Sequence, residues 1–339
     1  MRCYQIGNDY MKALYVNRHV KNIADIKLEW VDMPMPEIDE STCLIKVASS
    51  GVNPSDALAV LGYFEHAMLP RIPGRDFAGT VIKGPSHLRG KAVWGTGGAA
   101  GISFDGCQAE YIKLPLHSVA EVPHGLELLL AGAQPLPYVT AYYSLEKRAK
   151  IAAGETVLVV GALGQVGRAA MSICAWKQCQ TIALVRGDSD VKQAEAYGWN
   201  VVNSDADDLA AKIKQANGGK PVNVILNSVG NIYWSDYMSV LSELGRIVTI
   251  GAKENTREAS VNLFELYRAN QDIIGVNTVS LNFQQNAVLL NELKIGFEEK
   301  KLTPLPLNPS HQFSPENAGQ AYQTVMQSNA GQRVVIAFS

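Results

Sequence analysis

The stretch that most constrains this chain is Thr156 to Ala170, read as TVLVVGALGQVGRAA. A short apolar run, Val157-Leu158-Val159-Val160, leads into a turn punctuated by Gly161, Gly164 and Gly167, and a helical pattern continues through Ala175. Strand, glycine turn and helix open a dinucleotide-binding βαβ unit. A helix start leaves backbone N–H groups without intrahelical partners and carries about half a positive charge. A pyrophosphate is stabilised there if no side chain holds it away from the backbone, hence the glycines. The spacing is G-x-x-G-x-x-G, one residue longer in the first turn than the usual G-x-G-x-x-G. Arg168-Ala169 follows Gly167 in place of Lys-Ser or Lys-Thr, which excludes a nucleoside-triphosphate P-loop.

Alternation continues after this stretch. Strands are predicted at 156–160, 181–186, 200–203, 222–227, 246–250 and 272–279. Helices are predicted between most of them, at 165–175, 191–197, 209–216 and 235–244. Parallel pairing needs crossover helices, so the pattern predicts a doubly wound parallel sheet. Before residue 125 the texture differs. Strand-like runs cover 11–16 and 42–47, with Pro34 and Pro36 in a loop between them. A helix is predicted from Asn53-Pro54-Ser55-Asp56 to Leu61, stopped by Gly62. Short runs at 91–95 and 107–112, split by glycines, predict a small, partly open β-barrel. Residues 126–147 read as helices broken around Gln134–Pro137. Past 281 come a helix (284–299), a strand (306–313), a helix (315–327) and a last strand (333–338). This tail is expected to return to the N-terminal domain.

The 339 residues suffice for two domains, and a net charge of −2 without any basic run argues against a nucleic-acid surface. No apolar segment reaches membrane-spanning length, and the N-terminus lacks a signal-peptide core, so residues 1–10 read as an extension. The five cysteines, Cys3, Cys43, Cys107, Cys174 and Cys179, are scattered without a C-x-x-C pair, as in a reducing cytoplasm.

The order of features resembles the medium-chain dehydrogenase/reductase superfamily over nearly the whole chain. The resemblance rests on Gly51–Asp56, Pro73–Val81, Tyr138–Tyr143, Gly161–Gly167, Asn227–Gly230 and Ile247–Ala252. It implies a GroES-like domain (1–130 and 281–339) and a Rossmann NADP-binding domain (131–280), with the cofactor between them. Zinc members need a thiolate and a His around one metal. Asn53 stands where their first cysteine ligand falls and Arg75-Asp76 where their His-Glu pair falls, and the four-cysteine lobe is missing. The chain is therefore similar to the zinc-free quinone oxidoreductase branch.

The resemblance then assigns candidate roles. Gly161, Leu163, Gly164, Gln165, Val166 and Gly167 would hold the pyrophosphate. Asn227, Val229 and Gly230, with Ile250, Gly251 and Ala252, would lie at strand ends against the nicotinamide. Arg186 ends the second sheet strand, where a cation favours the 2′-phosphate of NADPH over NADH, although Asp188 and Asp190 are near; Lys192 is a second candidate contact. Asn53, Tyr63 and Thr140 are the catalytic candidates. Each has a plainer reading: Asn53 as a helix cap, Tyr63 as a core aromatic, Thr140 as a buried helix residue. Asp56 reads as a first-turn helix residue, and Glu65 and His66 as surface. The implied activity is hydride transfer from NADPH to quinones or α,β-unsaturated carbonyls. A 2-enoyl-thioester reductase and a non-catalytic NADPH sensor or scaffold are the alternatives. The partner is a small electrophile, and the last sheet strand is expected to form a homodimer.

Overall fold

The computed structural model describes residues 10–252, 254–327 and 331–338; of the stretch 1–10 read as an extension, residues 1–9, with Cys3, lie outside them, and Tyr10 already belongs to the first strand. The chain divides into two compact units. The first comprises residues up to Leu136, Val279–Glu298 and the stretch from Pro304 onward; the second comprises Pro137–Thr278 and Glu299–Thr303.

The first unit contains β1 (Tyr10–Tyr15), β2 (Glu29–Pro34), β3 (Thr42–Val52), α1 (Pro54–Val60), β4 (Asp76–Lys83), β5 (Ala92–Thr96), β6 (Tyr111–Pro115), β7 (Ala120–Glu121) and α2 (Leu128–Ala131). Helix α3 (Pro135–Tyr142) leads into the second unit. There follow β8 (Thr156–Val160), α4 (Gln165–Trp176), β9 (Gln180–Val185), α5 (Gly187–Glu195), β10 (Val201–Asn203), α6 (Leu209–Ala216), β11 (Val222–Asn227), α7 (Trp234–Val240), β12 (Leu241–Thr249), α8 (Leu263–Arg268) and β13 (Asp272–Gly275). The tail adds α9 (Phe283–Glu298), β14 (Leu307–Phe313), α10 (Ala318–Gln327) and β15 (Arg333–Ala337).

In the second unit six strands run in the order β10-β9-β8-β11-β12-β13, all parallel. This is the doubly wound arrangement, with the order reversing beside β8. Strand β8 is central and covered on both faces, so every one of its residues is buried and its sequence is a continuous apolar run rather than an alternation. Leu158 and Val160 join Ile182, Leu184 and Ile225 in one core cluster. The opposite end of the sheet is β13, an edge strand whose Ile273 is 42% exposed.

In the first unit the eleven-residue β3 pairs antiparallel with β4, β6 and β15. Val335 pairs with Gly51 and Ile336 with Ser50, so the C-terminal tail closes the sheet begun by the N-terminal residues. Buried Ile45, Val47, Phe77, Val93, Tyr322 and Val334 belong to a single core cluster.

Several boundaries differ from the sequence expectation; the helix expected at 191–197, for one, starts four residues earlier, at Gly187. Pro34 is not in a loop but ends β2, which pairs with β1 at Tyr10–Pro34; an end position needs no N–H from proline. Residues 107–110 precede strand β6 because their backbone serves other partners. Cys107 and Gln108 N–H donate to the Gly74 and Pro73 carbonyls, and Glu110 N–H donates to Lys12. The helix expected to reach 244 stops at Val240, because Leu241 begins β12 and pairs with Val222. The strand expected to reach 279 ends at Gly275, and Thr278–Ser280 form a 3₁₀ turn.

Arg246, on β12, fixes the approach to β8. Its guanidinium donates to both Glu155 carboxylate oxygens (2.6 and 2.9 Å) and to the Ala149 carbonyl (2.9 Å). Desolvation raises the Glu155 carboxyl, but the Arg246 bonds and the Ala152 N–H outweigh it and hold the group below its ordinary value. Arg246→Ala should lower stability by about 1–3 kcal/mol at pH 7, read from the urea midpoint. A depressed carboxylate stabilises above its unfolded value and loses that contribution as pH falls through the folded one. The difference between wild type and variant should therefore shrink in acid, below about pH 4.

Candidate functional site

The glycine turn of the second unit has the geometry a dinucleotide needs. Gly161 has φ +73°, a left-handed conformation that favours glycine, and Gly164 caps the N-terminus of α4. A Cβ on Gly167 would lie 2.2 Å from the Gly161 carbonyl oxygen, so that glycine is what lets α4 start against the end of β8. Leu163 is buried, Gly164 is exposed, and Gln165 and Val166 are half-buried at the first turn of the helix. The residues present thus fit a pyrophosphate, held by first-turn N–H groups.

The neighbouring strand ends are ordered by side chains. The Asn227 amide donates to the Gly230 carbonyl (2.8 Å) and its oxygen accepts the Val229 N–H (3.0 Å). Ile250 N–H donates to the Asn227 carbonyl (3.0 Å), which joins the two segments assigned to the nicotinamide. Gly230 has φ +80°. Gly251 and Ala252 are exposed beyond β12. Ser228 Oγ donates to the Val160 carbonyl (2.8 Å), which ties this loop to β8.

Sequence reasoning missed Arg168 as a support of this turn. Its guanidinium is almost wholly buried, donates to the Leu163 carbonyl (2.9 Å) and the Tyr197 hydroxyl (2.7 Å), and lies 4.7 Å from the Tyr197 ring centroid. The residue served above only to exclude a P-loop, and its contact with Tyr197 spans 29 positions.

Arg186 caps α5 and its side chain is 79% exposed, paired with Asp205 at 3.3 Å. Asn203 Oδ1 accepts the N–H groups of Gly187 (3.1 Å) and Asp205 (3.0 Å), so the ends of β9 and β10 are joined where a ribose substituent would be read. Asp188 approaches Asn203 (3.5 Å) rather than Arg186, and Lys192 is exposed. Thr140, on α3, is half-buried with its hydroxyl 3.5 Å from that of Thr278.

Within the first unit the structure gathers Asn53, Asp56, Arg75, Asp76 and Arg333, all buried. Asn53 precedes α1, and its backbone N–H donates to the Asp56 carboxylate (2.8 Å), half of a capping box. Its side-chain amide donates to Asp76 Oδ2 (2.9 Å) and its oxygen accepts Arg333 Nη2 (2.9 Å). Arg333 Nη2 also lies 3.4 Å from Asp76 Oδ2, and its Nε donates to the Ala133 carbonyl. Asn53 is 1% exposed, so in this structure it acts as a cap and a link between charged groups. Tyr63 is 62% exposed, not a core aromatic. Burial pushes the Asp56 carboxyl up to about 7, assisted by the Asp76 charge and opposed by the Asn53 N–H and Arg75.

This donor set does not fit zinc. An amide and a guanidinium supply no thiolate or imidazole, and Asp76 is engaged by Arg333 and Asn53. Desolvation raises the thiol of the neighbouring Cys107 well above its ordinary value. Among the described residues no three His, Cys, Asp or Glu side chains gather as a metal would require.

Two outcomes are expected. A carboxyl whose folded value is raised stabilises when protonated and loses that contribution as pH climbs from about 4 through 7. Asp56→Asn should therefore flatten the decline of the thermal midpoint between those pH values. Arg168→Ala should speed amide exchange at 163–167 and weaken dinucleotide binding roughly tenfold, measured by fluorescence titration, with the β8 core amides still protected.

Comparison with known proteins agrees with this geometry. The family profile described as alcohol dehydrogenase GroES-like domain matches residues 39–124, and the one described as zinc-binding dehydrogenase matches 166–292. The chain is 33% identical over 307 residues to a zinc-type alcohol dehydrogenase-like protein of Schizosaccharomyces pombe, covering 89% of this chain and 88% of that protein. It is 31% identical over 314 residues to the quinone oxidoreductase of Lama guanicoe, covering 90% and 91%. An alcohol dehydrogenase superfamily structure from Novosphingobium aromaticivorans superposes with a TM-score of 0.83 at 25% identity, covering 97% of this chain and all of that one. With a GroES-like first unit, a parallel-sheet second unit and relatives of this similarity along most of its length, the chain belongs to the medium-chain dehydrogenase/reductase superfamily.

Proposed function

We propose that this oxidoreductase uses NADPH to reduce quinones or α,β-unsaturated carbonyls without zinc, in the manner of the quinone oxidoreductase branch. The observation that carries the reading is the replacement of a metal's ligands by Asn53, Arg75 and Asp76, with Arg333 joined to them, in a chain that keeps a complete dinucleotide turn. A relative named quinone oxidoreductase, similar over nine-tenths of this chain, supports it.

The nicotinamide, when bound, supplies the hydride. The N–H groups of residues 164–167 would hold the pyrophosphate, and Arg186, now paired with Asp205, would hold the 2′-phosphate. The segments around Asn227–Gly230 and Ile250–Ala252 would position the nicotinamide. Reduction at the β carbon leaves charge on the acceptor's oxygen, which hydrogen-bond donors must meet in place of a metal. Thr140 Oγ1 supplies one such donor, and the exposed Tyr63 hydroxyl, or water, gives the final proton. Asn53 holds its loop in position for both steps. The scattered cysteines, with Cys43, Cys107, Cys174 and Cys179 all free thiols, support a cytoplasmic location. No described helix is long and apolar enough to cross a membrane. The exposed edge of β13 supports a homodimer formed by strand pairing.

The test is oxidation of NADPH and NADH, followed by absorbance, with a quinone, a short enone and an enoyl thioester as acceptors. NADPH-specific turnover with quinone or enone is expected. Preference for the thioester favours the enoyl reductase reading, and tight NADPH binding with no turnover on any acceptor favours a sensor. Arg186→Ala should cut the NADPH preference about ten- to a hundredfold, the worth of a charged hydrogen bond, while Asp205→Asn should raise NADPH affinity. Equal use of both cofactors by the wild type removes Arg186 from this role.

A further inference from the structure

Helix α4 ends in a complete Schellman turn. Gln178 has φ +60°, its N–H donates to the Ala175 carbonyl (3.1 Å), and the Cys179 N–H donates to the Cys174 carbonyl (2.9 Å). With Lys177 as the C-cap, Cys174 and Cys179 occupy the two positions whose side chains commonly meet across such a turn. The backbone bond between them limits their Cα separation to about 6.8 Å, inside the span of a disulfide. Charge on Cys179 also raises the Cys174 thiol, so the two sulfurs lie within electrostatic reach. The left-handed Gln178 is what turns the chain back and brings the pair together.

The two thiols differ in access. Cys174 is 0% exposed. Cys179 is half-buried, with its Sγ donating to the Ala152 carbonyl at 3.3 Å in the loop before β8. Of the described cysteines it is the one that is not buried, since Cys43 and Cys107 are as enclosed as Cys174. Burial, with the charges of Glu155 and Glu146, raises the Cys179 thiol, while Arg246 and Lys177 oppose that shift. Its thiolate fraction at neutral pH is therefore small, and its attack on an oxidant is slow. An oxidant in solvent still meets Cys179 first, and Cys174 needs no access of its own if it reacts with what Cys179 becomes.

We infer that Cys179 and Cys174 form an oxidisable pair, in which Cys179 meets a hydroperoxide and Cys174 resolves the product as a disulfide. The Cys179 thiolate attacks one peroxide oxygen and the O–O bond breaks. The departing hydroxide or alkoxide takes up the proton that the thiol gave, and a sulfenic acid remains on Cys179. The Cys174 sulfur then attacks that sulfenic sulfur. The S–S bond forms, the S–O bond breaks, and the hydroxyl leaves as water with the Cys174 proton. The two thiols lose two electrons, and these reduce the peroxide. With the resolving thiol held across one turn, oxidation stops at a reducible disulfide before sulfinic acid forms. The pair stands at the end of α4 away from the glycine turn, and the inference does not rest on the function proposed above.

The experiment treats the reduced full-length protein with hydrogen peroxide and follows intact mass and tryptic peptides prepared without reductant. Cleavage after Arg168, Lys177 and Arg186 puts the two cysteines on separate peptides, 169–177 and 178–186. In the wild type the mass should fall by about 2 Da, the two peptides should appear as one linked species, and dithiothreitol should restore both. In Cys174→Ala, peptide 178–186 should instead gain about 32 or 48 Da, the sulfinic and sulfonic products, which dithiothreitol does not reverse. If Cys174→Ala does not fold, Cys179→Ser decides: at the same peroxide concentration, peptide 169–177 should keep its thiol. Linkage of 178–186 to any other cysteine peptide overturns the inference. So does a Cys179 that stays a thiol in the wild type, or one that reaches sulfinic acid there as readily as in Cys174→Ala. Oxidation of Cys174 in Cys179→Ser overturns it as well.

Discussion

The first unit depends on one buried guanidinium. Arg333 sits at the start of the last strand, 0% exposed, and bonds three parts of the chain far apart in sequence: the Ala133 carbonyl, the Asn53 amide and the Asp76 carboxylate. Burial lowers its affinity for the proton, to about 10, while Asp76 and Asp56 oppose that loss. Such a group is tolerated only where its bonds are made, and removing one partner leaves an uncompensated buried charge. The closure of β15 on β3 is therefore tied to the orientation of Asn53. Even the glycine beside it follows from this packing. A Cβ on Gly51 would lie 2.7 Å from Arg333 Nη2 and 2.8 Å from the Gly132 carbonyl oxygen.

The second unit rests on a different constraint, the approach of helix to strand at Gly161 and Gly167. There the requirement is absence of side-chain volume rather than charge. Both units nonetheless share a design in which irregular backbone is held by a buried or half-buried arginine. Arg168 holds the Leu163 carbonyl, Arg71 holds those of Met68 and Gly101, and Arg246 holds that of Ala149. A guanidinium offers five donors in a rigid fork and so satisfies carbonyls that no ladder reaches.

Local pattern made much of this legible. The six sheet strands, the glycine turn and the helix after Asn53 follow from apolar runs, left-handed glycines and capping chemistry, which act within a few residues. Where two local preferences competed, the pattern misled. Residues 241–244 continue a helical rhythm, yet Leu241 has a strand partner in Val222. Residues 276–279 continue a strand's apolar rhythm, yet the neighbouring β12 ends at Thr249, whose carbonyl accepts the Val276 N–H, and the chain then turns at Thr278–Ser280. Cys107–Glu110 look like the start of a strand, but the backbone bends at Cys107 and Glu110, and the N–H groups of Cys107, Gln108 and Glu110 go to Gly74, Pro73 and Lys12.

The sequence by itself determined the class of the second unit, because strand and helix periods and glycine positions are written locally. It also determined that no thiolate or imidazole stands at Asn53, Arg75 or Asp76. Only the tertiary structure decided what those residues do instead, since Arg333 lies 280 positions from Asn53 and nothing local announces the bond. The same holds for Arg186, whose pairing with Asp205 required β9 and β10 to lie side by side. It holds for Tyr63, whose ring faces water rather than the core. Hydrophobic period and glycine conformation act within a few residues, whereas a charge's partner is set by which strands the fold brings together.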